Sequence, residues 1–247
     1  MKPNLPEAIW LNTSPSLQPF ERPLMNYLSK QFTIARWEYI QDRDEASSLD
    51  MACTLLHDYL KSRPQPIHLI GHSTAGLLGL IYGRRHPERL KSLTLLGVGV
   101  HPAVDWQAHY YALRQLIPCN RQLVLQQMVK NLFGSQDSYT TKKLAKILDQ
   151  DLNNSLSPHS IVERKSISSG GIAAPLMICG SEDDPIVDLN AIQKWSNYLK
   201  EGDRLWQFSQ GHHFFHYFYP RKVGRKITDF WRNVASLNGE EVYTVSA

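Results

Sequence analysis

The chain has 247 residues, 42% of them hydrophobic and 20% charged, a composition that excludes a disordered or membranous protein and allows one sizeable buried core. Its net charge of +4 comes partly from Arg84-Arg85, Arg221-Lys222 and Arg225-Lys226. These basic pairs lie among apolar residues at helical spacing, which fits solvated helix faces and gives no support to nucleic-acid binding. Cys53, Cys119 and Cys179 are widely separated and form no C-x-x-C pair, so neither a disulfide framework nor a zinc site is indicated; they read as small buried hydrophobes. Met1-Lys2-Pro3-Asn4-Leu5-Pro6 lacks an apolar signal region and no apolar run reaches bilayer length, so no membrane span and a cytoplasmic location are expected.

In chain order, Ala8 to Leu11 reads as a strand, Pro19 to Ser29 as a helix and Thr33 to Ile40 as a second strand. Leu49, Cys53, Leu56 and Leu60 share one helical face. The apolar run Ile67-His68-Leu69-Ile70 then predicts a strand that runs into Gly71-His72-Ser73-Thr74-Ala75-Gly76. Next comes a helix through Arg85, in which Gly76, Gly79 and Gly83 recur at helical spacing and allow close packing on a sheet. His86-Pro87 stops it, and Leu93 to Val100 reads as a buried strand.

Between Val100 and Ala174 the alternation gives way to amphipathic helical stretches at Trp106 to Leu116, Gln122 to Phe133 and Thr141 to Leu152. It resumes with a strand at Leu176 to Cys179, a helix at Asn190 to Leu199, a strand at Leu205 to Phe208 and a closing helix at Arg221 to Val234, with a loose tail from Ala235. Strands alternating with helices predict an α/β fold whose mostly parallel sheet is covered on both faces.

Ser73 is the candidate nucleophile. A serine hydroxyl attacks at neutral pH only if it projects from a sharp turn toward a base, with backbone amides nearby to receive the oxyanion. Small residues at 71 and 75 fit such a turn. With the helix, the His-Pro-Glu-Arg turn and the Leu-Thr-Leu-Leu-Gly strand that follow in order, residues 67–97 resemble the nucleophile-elbow region of the α/β-hydrolase superfamily.

That resemblance implies the order Ser, Asp, His and supplies candidates for each place. Gly180-Ser181-Glu182-Asp183-Asp184-Pro185-Ile186-Val187 resembles the family's acid turn: counting from Gly180 selects Asp183, and counting back from Pro-Ile-Val selects Asp184, the preferred register. Gln210-Gly211-His212-His213-Phe214-Phe215-His216 resembles its histidine loop: Gly211 points to His212, while Phe-Phe and the distance to Pro220 point to His213, again preferred. Three histidines in five residues invite a metal reading, but no H-E-x-x-H or carboxylate-rich companion supports one.

For the oxyanion hole the resemblance implies the N–H of Thr74 and a second donor from the loop after the first core strand. That loop reads Asn12-Thr13-Ser14-Pro15 where the family usually has His-Gly, which leaves Thr13 and Ser14 as candidates. The Gly-rich loop common in the family is also missing from Tyr39 to Ala46. His72, beside the nucleophile, is expected to line the substrate pocket. The family's usual N-terminal hairpin has no room before Ala8, so a trimmed core at 1–100 and 174–247 is expected, with an inserted helical cap at 101–173.

The resulting expectation is a serine hydrolase that cleaves an ester or thioester of a small hydrophobic or acyl substrate through an acyl-serine intermediate, without a cofactor. A type II-like thioesterase and a cofactor-free lyase or C–C hydrolase use the same triad and stay open. From another class, so does an inactive ligand-binding protein on this fold. Oligomeric state and substrate identity are not written in these motifs.

Overall fold

The computed structural model describes residues 5–41, 44, 47–116, 120–160 and 162–237. Six strands, β1 (Ala8–Asn12), β2 (Ile34–Glu38), β3 (Ile67–His72), β4 (Leu90–Leu96), β5 (Leu176–Ser181) and β6 (Arg204–Phe208), form one sheet in the order β2-β1-β3-β4-β5-β6. All five pairings are parallel. No antiparallel hairpin precedes β1 among the described residues.

Side chains along a strand alternate between faces, and both faces of this sheet are buried, so the strands read as continuous apolar runs. Ile9 and Leu11 of β1 join Leu69 and the helices α2 (Leu49–Leu60) and α3 (Thr74–Arg85) in one core. Ala8 and Trp10 join Ile70, Leu96 and the helices α1 (Gln18–Leu28) and α9 (Pro220–Leu237) in the other. Val223, Ile227, Phe230, Trp231 and Val234 make the inner stripe of α9, while Arg221, Lys222, Arg225 and Lys226 are exposed on its outer side.

Three helices, α4 (Trp106–Leu116), α5 (Arg121–Phe133) and α6 (Ser138–Asn154), lie between β4 and β5. Trp106, Tyr110, Val124, Met128, Leu132 and Leu148 continue the core of the α2/α3 face, so the insertion is seated on the domain by the same apolar contacts that build it. Two of these helices start earlier than their apolar periodicity suggests because polar side chains cap them: Asn120 Oδ1 accepts from the Leu123 N–H, and Asp137 Oδ1 from those of Tyr139 and Thr140.

Strand β4 ends at Leu96, short of the expected Val100, because Gly97 takes a left-handed φ of 60°. The expected helix from Asn190 splits into α7 (Leu189–Gln193) and a 3₁₀ stretch at Lys194–Tyr198. Phe215–Phe218 forms the short helix α8 ahead of α9. Cys53 and Cys179 are buried free thiols. Cys119, most of the loop from Asp42 to Ala46 and most of the tail from Ala235 lie outside the described residues. No described helix is long and apolar enough to cross a membrane.

The chain leaves β1 toward one edge of the sheet and from β3 proceeds toward the other. The carboxyl ends of β1 and β3, which pair directly with Leu11 opposite Gly71, are therefore the topological switch point, where open α/β sheets present a crevice. Thr13 follows one of these strands and Ser73 the other.

Candidate active site

Ser73 sits between the last residue of β3 and the first of α3 with φ 50° and ψ −124°, a backbone conformation that side-chain-bearing residues rarely adopt. The turn closes so tightly that a Cβ on Gly71 would lie 2.7 Å from backbone atoms of Ala75 and Gly76. One on Gly76 would lie 2.7 Å from Val98 Cγ2 and 2.9 Å from Gly71 O. The two positions that must lack a side chain are thus 71 and 76. The methyl of Ala75 is simply buried, which is why Gly-His-Ser-Thr-Ala-Gly makes this turn as it stands.

The paired aspartates and histidines divide into two jobs. Asp184 is held by the N–H groups of Ile186 and Val187 at its Oδ1, 2.8 and 3.2 Å, and its Oδ2 accepts from His213 Nδ1 at 2.8 Å. Both side chains of this pair are fully buried. Because Nδ1–H is given to Asp184, Nε2 is the basic nitrogen of His213.

Asp183 instead ties the histidine loop to the acid turn. Its Oδ1 accepts from Ser181 Oγ at 2.6 Å and His212 N at 2.8 Å, and its Oδ2 accepts from Gly211 N at 3.2 Å. His212 Nδ1 donates back to the Asp183 carbonyl at 3.0 Å, and its left-handed φ of 52° turns the chain so that the next histidine faces inward.

His213 and Ser73 both lie against the end of β4. The Ser73 N–H donates to Leu96 O at 3.0 Å, and a Cβ on the next residue, Gly97, would lie 3.1 Å from His213 Cε1. Ser73 Oγ and His213 Nε2 are both buried without a hydrogen-bond partner among the described residues. His72 packs against His213 and His216 with ring centroids 4.6 and 4.4 Å apart, and its Nε2 donates to the His213 carbonyl at 3.0 Å. Burial, with the neighbouring His216 and His213, holds its pKa well below the ordinary histidine value, so His72 is a neutral brace as well as a wall.

A cavity of about 10 Å³, room for one water molecule, is lined by Thr13, Ser14, Leu17, Glu21, His72, Ser73, Thr74, Ala75 and Trp106. Thr74 is the first residue of α3, where a helix leaves its N–H without an intrahelical acceptor. Thr74 Oγ1 donates to the buried Asp105 at 2.6 Å, and Asp105 also accepts from Ala108 N at 2.9 Å, which joins the elbow to the start of α4. Ser14 N donates to Asn12 Oδ1 at 3.0 Å, so of the two second-donor candidates only Thr13 has an amide outside this bond. His109 of α4 also comes near: burial, then His213, hold its pKa below the ordinary value. Among the described residues, no group of three or more His, Cys, Asp or Glu side chains could hold a metal ion.

Sequence reasoning passed over Glu21, Asn12 and Asp105. Glu21 left one legible sign: Leu17, Phe20, Glu21, Leu24 and Leu28 follow helical periodicity, which places a carboxylate on the apolar stripe of α1.

A family model described as the alpha/beta hydrolase fold matches residues 60–138. An uncharacterized protein of Nostoc sp. is 47% identical over 226 residues, 92% of this chain and 90% of the relative. Another, of Synechocystis sp., is 43% identical over 241 residues, 98% of this chain and 94% of the relative. Among solved structures, naproxen esterase from Bacillus subtilis is similar at TM-score 0.70 and 17% identity, over 93% of this chain and 84% of that one. A meta-cleavage product hydrolase from Pseudomonas fluorescens is similar at TM-score 0.67 and 13% identity, over 92% and 90%. The type II thioesterase of the borrelidin biosynthetic cluster is similar at TM-score 0.63 and 17% identity, over 93% and 94%.

Proposed function

We propose, for a chain that belongs to the α/β-hydrolase superfamily and shares its family with the Nostoc and Synechocystis proteins, a serine hydrolase that cleaves small acyl esters or thioesters. The observation that carries this reading is the Asp184–His213 pair, fully buried, with Nε2 unpartnered beside a serine on a strained turn.

In this mechanism His213 Nε2 takes the Ser73 proton as Oγ attacks the substrate carbonyl, and Asp184 stabilises the imidazolium that forms. The oxyanion receives the N–H groups of Thr74 and Thr13. When the tetrahedral intermediate collapses, His213 returns the proton to the departing alcohol or thiol. Water then enters by the same base and releases the acid, restoring Ser73. The small cavity beside Ser73 favours a short acyl group, and α4 to α6, which close over it through Trp106, act as a cap that sets what reaches it.

Two measurements test the reading. Labelling by a fluorophosphonate should be fast for the wild type and absent for Ser73→Ala, and turnover of p-nitrophenyl acetate should fall by roughly 10³-fold or more in that variant. Turnover unchanged by Ser73→Ala would overturn it. A protein that refused the label but bound small ligands tightly would instead be a binding protein on this fold.

A further inference from the structure

Asn12 is fully buried at the end of β1, and both ends of its amide are used: Oδ1 accepts from Ser14 N at 3.0 Å and Nδ2 donates to Glu21 Oε2 at 2.7 Å. The Glu21 acceptor fixes which way this amide points. Reversed, Nδ2 would face the Ser14 N–H, donor against donor, and Glu21 would have to turn its own O–H toward the amide. Held as it is, the amide clamps the turn on Ser14 beside Thr13, which lines the cavity together with Glu21 and Ser73.

We propose that Glu21 is a positioning residue that holds the Thr13 oxyanion donor in place through Asn12, and that it does so as the uncharged acid, so that ionising it switches the enzyme down. The inference rests on the hydrolase reading above. Glu21 is 4% exposed on α1 and has no ion-pair partner among the described residues; Arg36, whose charge reaches it, is 3.6 Å from Glu38 instead. An uncharged carboxyl still accepts from Asn12 through one oxygen while its proton stays on the other. An ionised one would put a negative charge into the cavity where the tetrahedral intermediate develops its own, and in a site so poor in water that repulsion raises the barrier.

The groups around Glu21 agree with a neutral acid. Burial, the largest influence, pushes its pKa up to about 7; Asn12 and, at longer range, Trp10 of β1 and Arg36 of β2 pull the other way, and Glu38 adds to the rise. His72 of β3 is neutral. Asp151 of α6 approaches the same turn from the Ser14 side, and burial pushes it up to about 7 as well, so it needs its own control.

The test is the pH dependence of kcat for p-nitrophenyl acetate, read at the pH-independent wavelength and corrected for spontaneous hydrolysis, in the wild type, Glu21→Gln, Glu21→Ala and Asp151→Asn, each checked by thermal melting. Wild-type kcat should decline above about pH 7, and Glu21→Gln, neutral at every pH, should move that decline upward by more than one pH unit. Glu21→Ala should lower kcat roughly tenfold or more with KM little changed, as expected when only the transition state loses a donor. The proposal is overturned if Glu21→Gln keeps the wild-type decline, if Asp151→Asn moves it instead, or if Glu21→Ala retains full kcat. Should Glu21→Ala fail to fold, the Glu21→Gln profile decides alone. An inactive Ser73→Ala beside an unmoved Glu21→Gln profile rejects this inference only, whereas an active Ser73→Ala rejects the hydrolase reading beneath it.

Discussion

At residue 183 and residue 184 the same side chain does two different things, and the cause is one residue of register. Asp184 points inward, its oxygens bound by two backbone amides and His213, while Asp183 points along the surface and binds the backbone of the histidine loop. The division predicts unequal variants. In the proposed mechanism Asp184→Asn replaces an acceptor of His213 Nδ1–H with a group able to present a donor, which disturbs the tautomer and should lower kcat by about 10³ to 10⁴. Asp183→Asn loosens a loop, and should lower kcat by roughly tenfold with a fall in melting temperature. Steady-state kinetics on the two purified variants, alongside His212→Ala and His213→Ala, checks this; equal losses at 183 and 184 would count against the assignment.

Among the elements, the strand-turn-helix unit from β3 to α3 bears the sharpest constraint. Its three glycines after Ser73 look alike in the sequence and differ in their surroundings. A methyl on Gly76 meets the Gly71 carbonyl at 2.9 Å as well as Val98, and backbone cannot swing away. One on Gly79 meets only the ends of Leu93 and Leu11 at 2.9 and 3.1 Å, which rotate. One on Gly83 meets Ile172 side-chain atoms at 3.2 and 3.3 Å. Gly76→Ala should therefore destabilise the protein by about 1–3 kcal/mol in urea unfolding, and Gly79→Ala and Gly83→Ala by less. If all three cost the same, the backbone contact at Gly71 is not what limits position 76.

Over the whole molecule, buried titratable groups of both kinds shape stability against pH. His68 and His216 are pushed down to about 3 by burial, and His72 is pushed well below its ordinary value, so each binds its proton more weakly when folded. Their contribution is present above about pH 6.5 and is lost as pH falls toward 3. Glu21 and Asp151, each raised to about 7, act oppositely: their contribution is present at about pH 4 and is lost as pH rises to 7. The two trends partly offset between about pH 4.5 and 6.5, where three histidines act against two carboxyls, so stability should rise with pH there by about one proton's slope and fall more steeply below about pH 4.5, where only the histidines act. His68 lies far from the cavity, bonded to Ser92 and stacked on Trp231. His68→Gln should reduce the slope of unfolding free energy between about pH 3.5 and 4.5 by one proton, ~1.4 kcal/mol per pH unit. Chemical denaturation across that range measures it, and an unchanged slope would mean that His68 is already protonated in the folded state.

The sequence by itself determined the alternation of strands and helices, the inserted helices after β4 and the place of Ser73, because these depend on local periodicity and on the small side chains that one tight turn demands. It brought the candidate acid and base to within one residue and no closer, since adjacent positions on a loop share every local signal and differ only in direction. Tertiary structure decided that direction: the bonds of Asp183 to the histidine loop and the left-handed turn at His212 aim Asp184 and His213 at each other. It also brought Glu21, a charged residue on an apolar helix face, through Asn12 to the loop that lacks the family's usual His-Gly. No spacing along the chain records that meeting, because β1 and α1 are joined in sequence while the cavity they share with Ser73 is closed by strand pairing across the switch point.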